Sequence, residues 1–216
     1  MGVEAWSLAN PGNRAARAEL TAALLDAAEE PIRGPGALLD CGCGSGWLLE
    51  ALAGAGIEPR RLHGVEPDSA RREAARGRVP GAEIIAADAT ALPFADSAFA
   101  AVFFVVSLSS MGAAPTVRAA LAEGQRVLGP GGLLAIYEPR LPNPLNRDVR
   151  LLRRADLRAA GVTPTETHSL TLLPPLGRRL GRLTGALHPV LLRLAPLRSH
   201  RLAVHRKQGT PAGSGT

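Results

Sequence analysis

Aromatic residues are scarce: phenylalanine, tryptophan and tyrosine together make up 3% of the 216 residues. Proteins that bind single strands by stacking bases need such rings, so that mode of nucleic-acid binding finds little support. Cysteine is nearly absent too. Cys41 and Cys43 lie two apart, which makes neither a disulfide framework nor a zinc-ligand pattern and suits a reducing compartment. The five histidines, His63, His168, His188, His200 and His205, are scattered and suggest no metal set. The longest apolar stretches, such as 98–108, are too short to span a bilayer. The opening MGVEAWSLANPGNR has no basic segment followed by an apolar core, so no secretory signal is expected. These absences lead us to expect a cytoplasmic protein that neither spans nor sits on a membrane.

What is present fits one globular domain. The chain is 46% hydrophobic and 20% charged, and it is long enough to bury a core without disulfide or metal. Charge is unevenly divided: residues 1–139 carry a net −5 and residues 140–216 a net +11, together the +6 of the whole chain. A basic C-terminal third draws anionic partners when it forms a patch, and is a set of solvated helix faces when it does not. The second reading is preferred. We expect a single domain over 1–207, with an N-terminal helical cap at 1–33, a core at 36–139 and a substrate-side part at 140–207. Residues 208–216 are expected to form a disordered tail.

The periodicity predicts a helix over 14–30, stopped by Pro31 and the Gly34-Pro35-Gly36 turn. Strands follow at 37–40, 61–66, 82–88, 97–108 and 131–138, with helices at 47–56, 68–78 and 116–128 between them. Strands alternating with helices predict a parallel α/β sheet that binds its ligand at the strands' carboxyl ends. After Glu138 the rhythm changes. A Pro/Asn-rich loop at 139–147 leads to a helix at 148–160, a strand within 162–173, a leucine-striped helix at 176–194 broken by Pro189, and a last strand at 200–207.

The strongest signal is LLDCGCGSGW at 38–47: a strand, Asp40, glycines at 42, 44 and 46, then a helix. Glycine lets the backbone approach a ligand with no Cβ in the way, and the helix start offers free N–H groups. The dinucleotide fingerprint G-x-G-x-x-G would need glycine at 47, where Trp47 stands, so a nicotinamide reader is disfavoured. Acids end the next two strands as well. Glu66 lies 22 residues past Gly44, where a carboxylate can take two vicinal ribose hydroxyls, and Asp88 lies 22 residues further, able to accept from an adenine amino group. A single strand-end acid is usually a turn residue or helix cap; three in register, Asp40, Glu66 and Asp88, point to a nucleoside.

With these residues in view, the chain resembles the class I S-adenosylmethionine-dependent methyltransferases, in particular their small-molecule branch. LLDCGCGSGW is similar to the family's first motif, HGVEPD (63–68) to its second, and AADATALPFADSAFAAV (86–102) to its third and the stretch after it, while RVLGPGGLLAIYEP (126–139) resembles the family's turn and fifth strand. The resemblance implies a Rossmann-like three-layer sandwich whose seven-stranded sheet is mostly parallel, with the last strand antiparallel. It implies S-adenosyl-L-methionine as cofactor, and methyl transfer to a small-molecule acceptor by in-line displacement. By position, Gly42, Cys43, Gly44 and Gly46 would border the methionine and ribose, and Asp40 would orient that loop or meet the amino group through water. Glu66 would hold the ribose, Asp88 and Ala89 the adenine with Pro67 beside it, and Ser107 would flank the methionine. The chain departs from the family at Ala100, where an acid is common, and at Ser107–Met111, which lacks the aromatic or histidine residues common there.

No base is required unless the acceptor must lose a proton early. Tyr137, Glu138 and His168 are the catalytic candidates, and Arg140, Asn143 and Asn146 are possible substrate contacts; each also has an ordinary structural reading. The segment 174–195 would be a lid or wall over the acceptor, a dimer surface or a surface-lying membrane helix, the wall being preferred. Two alternatives stay open: a nucleic-acid methyltransferase, suggested by the basic C-terminal third, and a non-catalytic S-adenosylmethionine-binding protein, since a fold alone does not prove turnover. The chain would be a monomer or a homodimer.

Overall fold

The computed structural model describes residues 8–142 and 149–209. Seven strands form one sheet: β1 (Ala37–Cys41), β2 (Leu62–Val65), β3 (Glu83–Ile85), β4 (Phe99–Val105), β5 (Leu128–Pro139), β6 (Glu166–Leu172) and β7 (Arg198–Arg206), in the order β3-β2-β1-β4-β5-β7-β6. The first five run parallel, and β7 is antiparallel to both of its neighbours, β5 and β6. The expected seven strands and antiparallel last strand are therefore both present. β1 and β4 are buried along almost their whole length, which is why their sequences are apolar throughout except at Asp40.

Helices cover both faces. On one side α1 (Pro11–Ala27), α3 (Trp47–Gly54) and α4 (Ser69–Arg78) pack on Leu38, Phe103, Tyr137 and Leu202. On the other, α5 (Ala114–Val127) and α6 (Arg154–Ala159) pack on Leu39, Phe104 and Ile136. Between these groups of residues the order of the sheet reverses at β1 and β4, and a crevice opens at the carboxyl ends of the strands there.

Four helix expectations change. The first helix starts at Pro11, where Asn10 accepts from the Gly12 and Asn13 amides, and Pro31 does not stop it: it ends at Ala27, and Pro31 lies inside the short α2 (Glu29–Arg33). The helix expected over 148–160 is only Arg154–Ala159. The preceding chain is held extended because Asp156 accepts from the Arg150 side chain (2.6 Å) and the Arg153 amide (3.2 Å). The leucine-striped helix breaks at Gly181, which has φ +50, giving α7 (Pro174–Arg179) and α8 (Thr184–Leu192), and Pro189 lies inside α8. That stripe is only partly buried: Leu183 and Leu187 are exposed at 60% and 38%, Leu176, Leu180 and Leu191 are half-buried, and the residues α8 buries are Thr184 and His188. Among the described residues no helix is long and apolar enough to cross a membrane.

Candidate functional site

The glycine loop between β1 and α3 is held by the neighbouring strand, with the Gly42 and Cys43 amides both donating to the Val65 carbonyl (2.9 and 3.0 Å). Gly42, Gly44 and Gly46 all take positive φ, near +78, +54 and +79. Two of them are also pressed against neighbours. A Cβ on Gly42 would stand 2.8 Å from the Ser107 Cβ, and one on Gly46 2.9 Å from the Ala75 Cβ, whereas Gly44 faces open space. The first and third glycines therefore shape the loop, and the middle one leaves its backbone clear for a ligand. Gly46→Ala is expected to cost about 1–3 kcal/mol from strained backbone and a similar amount from overpacking. A urea midpoint equal to the parent's would contradict that reading.

Glu66 is the loop's second anchor. It is 5% exposed; its Oε2 accepts from the Gly44 amide and its Oε1 from the Asp68 amide, each at 3.0 Å. Each carboxylate oxygen keeps a further lone pair for a ligand. Asp68 caps α4 by accepting from the Arg71 amide (2.8 Å). Asp88 accepts through Oδ1 from the Thr90 amide and hydroxyl (2.8 and 2.7 Å), and these bonds hold its pKa below the ordinary value. Its Oδ2 has no partner among the described residues.

Asp40 stands apart from this network. Its side chain is buried at 3% exposure, and among the described residues it makes no hydrogen bond to the loop and leaves Oδ1 without a partner. Burial first, and the charge of Glu66 second, push its carboxyl up to about 7. The buried Ser107 Oγ is likewise unpartnered.

These elements border a cleft of about 400 Å³, within the range of small-ligand sites. It brings together Gly42, Gly44, Glu66, Pro67, Asp88, Ala89 and Ser107 from the residues singled out in the sequence, and adds Arg71, Val106, Ser110, Met111 and Thr116. Asp40, Cys43 and Gly46 lie beneath or beside it. The Cys43 thiol is buried against the Gly64 backbone, and burial keeps it firmly protonated.

Beside the cleft is a cavity of about 210 Å³ lined by Asn13, Ala16, Arg17 and Leu20 of α1, with Trp47, Val105, Val106, Tyr137, Thr171 and His200. Val106 borders both spaces. The Arg17 guanidinium lies 4.1 Å above the Trp47 ring, and the Tyr137 hydroxyl shares a hydrogen bond with the Thr171 Oγ1. Burial raises the Tyr137 pKa above its ordinary value. The segment 174–195 contributes no residue to either space; α1 forms that wall.

The three catalytic candidates separate. Tyr137 faces the smaller cavity. Glu138, its neighbour on β5, points to the opposite face of the sheet, where its carboxylate accepts from the Leu108 and Ser109 amides (2.7 and 3.2 Å) and ties down the chain after β4. Burial pushes the Glu138 carboxyl up to about 7. His168 stands on β6 with a side chain 53% exposed, close to Glu166 and away from both spaces. Arg140 donates to the Ser169 hydroxyl (3.1 Å) and lines a separate arginine-rich cavity on the α6 side. Asn143 and Asn146 lie outside the described residues, as do the first seven residues and 210–216 of the tail. Sequence reasoning missed Arg17, Trp47, Thr171 and His200, which meet only because α1, α3, β6 and β7 converge. Among the described residues no group of three or more His, Cys, Asp or Glu side chains is arranged to hold a metal ion.

Comparison with known proteins finds similarity to methyltransferases. Residues 39–136 match a family model described as a methyltransferase domain. Over 101 residues the chain is 37% identical to the demethylmenaquinone methyltransferase of Renibacterium salmoninarum, covering 47% of this chain and 40% of that one. The chain spans two fifths or less of the length of the curated relatives it matches. Among solved structures, the [4+2]-cyclase SpnF superposes with a TM-score of 0.63 at 24% identity, covering 88% of this chain and 81% of that one. Geranyl diphosphate C-methyltransferase from Streptomyces coelicolor A3(2), solved with S-adenosyl-L-homocysteine, gives 0.64 at 17%, covering 86% and 77%. At these identities the two structures share the fold.

Proposed function

We propose that this chain, whose residues 39–136 match a methyltransferase domain, is a class I S-adenosylmethionine-dependent enzyme that moves a methyl group from S-adenosylmethionine to a small molecule by in-line displacement. The observation that carries the reading is the junction at Val106: a nucleoside-sized cleft and a smaller, mostly apolar cavity meet at one residue on the carboxyl edge of the sheet. The residues fit such a cofactor. Gly44 leaves a backbone cradle that a Cβ would fill, Glu66 has lone pairs for two ribose hydroxyls, and the Asp88 Oδ2 is open toward an adenine amino group. The Asp40 Oδ1, which has no partner among the described residues, suits the cationic end of the methionine, directly or through water. When bound, the cofactor supplies an electrophilic methyl on a sulfonium. The chain's part is to align the acceptor and exclude water, and alignment alone contributes about 7–11 kcal/mol.

The smaller cavity favours an apolar or aromatic acceptor over a nucleic acid, since its lining is largely Leu20, Val105, Val106, Ala16 and Trp47. The free, buried Cys41 and Cys43 fit a cytoplasmic setting. Calorimetric titration with S-adenosylhomocysteine tests the reading, with NAD as the comparison. Micromolar binding of the first and none of the second is expected. Binding of NAD alone would overturn the cofactor assignment, and binding of S-adenosylhomocysteine with no turnover across an acceptor panel would favour a non-catalytic role.

A further inference from the structure

In the smaller cavity, one histidine has its protonation fixed by its neighbours. The Ser199 hydroxyl donates to the Thr171 carbonyl (2.9 Å), an atom that can only accept. Its hydrogen is thereby used, so in the 2.8 Å contact between Ser199 Oγ and His200 Nδ1 the serine oxygen accepts and the ring donates. His200 therefore carries its proton on Nδ1. Its Nε2 keeps a free lone pair with no protein partner among the described residues, and the ring lines the cavity.

The surroundings hold the ring in that state. His200 stacks on Tyr137 with ring centroids 4.9 Å apart and planes 6° from parallel. Tyr137 is hydrogen-bonded to Thr171, whose amide is gripped by the Glu19 carboxylate (3.2 Å to each oxygen). Thr171 (φ +64) and Val106 (φ +54) are both β-branched residues in the left-handed region, and both line this cavity. Such strain persists only where the surrounding structure enforces it, and it gathers at functional sites. Of the charged and titratable groups around the ring, Tyr137 from β5 stacks on it and Arg17 from α1 lines the same cavity, while Glu19 from α1 is engaged with the Thr171 amide. Burial lowers the imidazole pKa to about 4, so the ring is neutral at pH 7.

We propose that His200 is a catalytic residue that takes the proton from a hydroxyl-bearing, apolar acceptor, a phenol-like molecule, held against Tyr137 and Trp47. This rests on the methyl-transfer reading above. In the step, the hydroxyl oxygen forms a bond to the methyl carbon while the carbon–sulfur bond breaks with its electron pair remaining on sulfur. The hydroxyl proton passes to His200 Nε2, and the imidazolium then loses it to water. The products are a methyl ether and the neutral thioether.

The test uses the full chain loaded with S-adenosylhomocysteine, with 4-nitrophenol as the probe. Nitrogen-15 NMR of the imidazoles at pH 7 is expected to show His200 protonated on Nδ1 alone. Calorimetry is expected to show 4-nitrophenol binding at least fivefold weaker to His200→Asn than to the parent. Asparagine keeps an amide N–H toward Ser199 and removes Nε2, so S-adenosylhomocysteine affinity should be unchanged. A proton on Nε2, no binding of 4-nitrophenol by the loaded parent, or equal affinity in His200→Asn would each overturn the proposal. Failure of the parent to bind S-adenosylhomocysteine would instead overturn the reading of the cleft.

Discussion

Replacing Glu66 with alanine is expected to weaken S-adenosylhomocysteine binding by roughly 150-fold. Two ribose hydroxyls donating to one carboxylate are worth about 1.5 kcal/mol each at the lower end for hydrogen bonds to charged groups, and about 1.4 kcal/mol is tenfold in affinity. The same substitution strips the acceptor from the Gly44 and Asp68 amides, so the loop loses the anchor that holds its ligand-facing backbone. Glu66→Gln separates the two contributions. Its amide keeps one acceptor oxygen but turns a donor toward one of those N–H groups, so an intermediate loss is expected. Calorimetry reads the affinity and a urea midpoint reads the fold. A folded Glu66→Ala variant that binds as tightly as the parent would remove Glu66 from the ribose site.

This cleft was legible in the sequence because its chemistry is local. Glycines at 42, 44 and 46 and acids at the ends of β1, β2 and β3 follow one another at the spacing of a strand–helix–strand unit, and parallel pairing carries that spacing directly into adjacency. The smaller cavity was not legible, because Arg17, Trp47, Tyr137, Thr171 and His200 come from five elements spread over most of the chain. Tyr137 and Glu138 show how far local reading reaches. Both end β5, but side chains alternate along a strand, so one opens into the cavity while the other is spent on the Leu108 and Ser109 amides. Which of the two faces the site depends on the layers that cover the sheet. The leucine stripe of α8 fails for a related reason: a helical period identifies a helix, yet the face that packs here carries Thr184 and His188.

Asp40 should make the stability of the folded chain depend on pH in a way that Asp40→Asn abolishes. Its carboxyl has an ordinary pKa of 3.8 and is raised to about 7 by burial and by the charge of Glu66. A group raised on folding contributes stability that is fully present below its unfolded pKa and is lost as pH climbs through the folded one. For Asp40 that window runs from about pH 4 to pH 7, and three pH units at 1.36 kcal/mol per unit is on the order of 4 kcal/mol. Glu138, also raised to about 7, works in the same direction, while His188 and His200, both lowered by burial, gain stability as pH rises to about 6.5. Comparison with Asp40→Asn cancels these shared contributions. The two proteins should therefore be about equally stable at pH 4, with the variant pulling ahead by on the order of 4 kcal/mol at pH 8 in urea titrations. A difference that stays flat with pH would mean that Asp40 is ionised in the free protein. The ligand should reverse the order. A cationic amino group beside Asp40 favours its charged form, so S-adenosylhomocysteine should stabilise the parent more than the variant at pH 8. Its binding near pH 6 should then release a proton, which appears as a binding enthalpy that changes with the ionisation enthalpy of the buffer. The residue that weakens the empty fold at neutral pH is thus the one positioned to favour the loaded state.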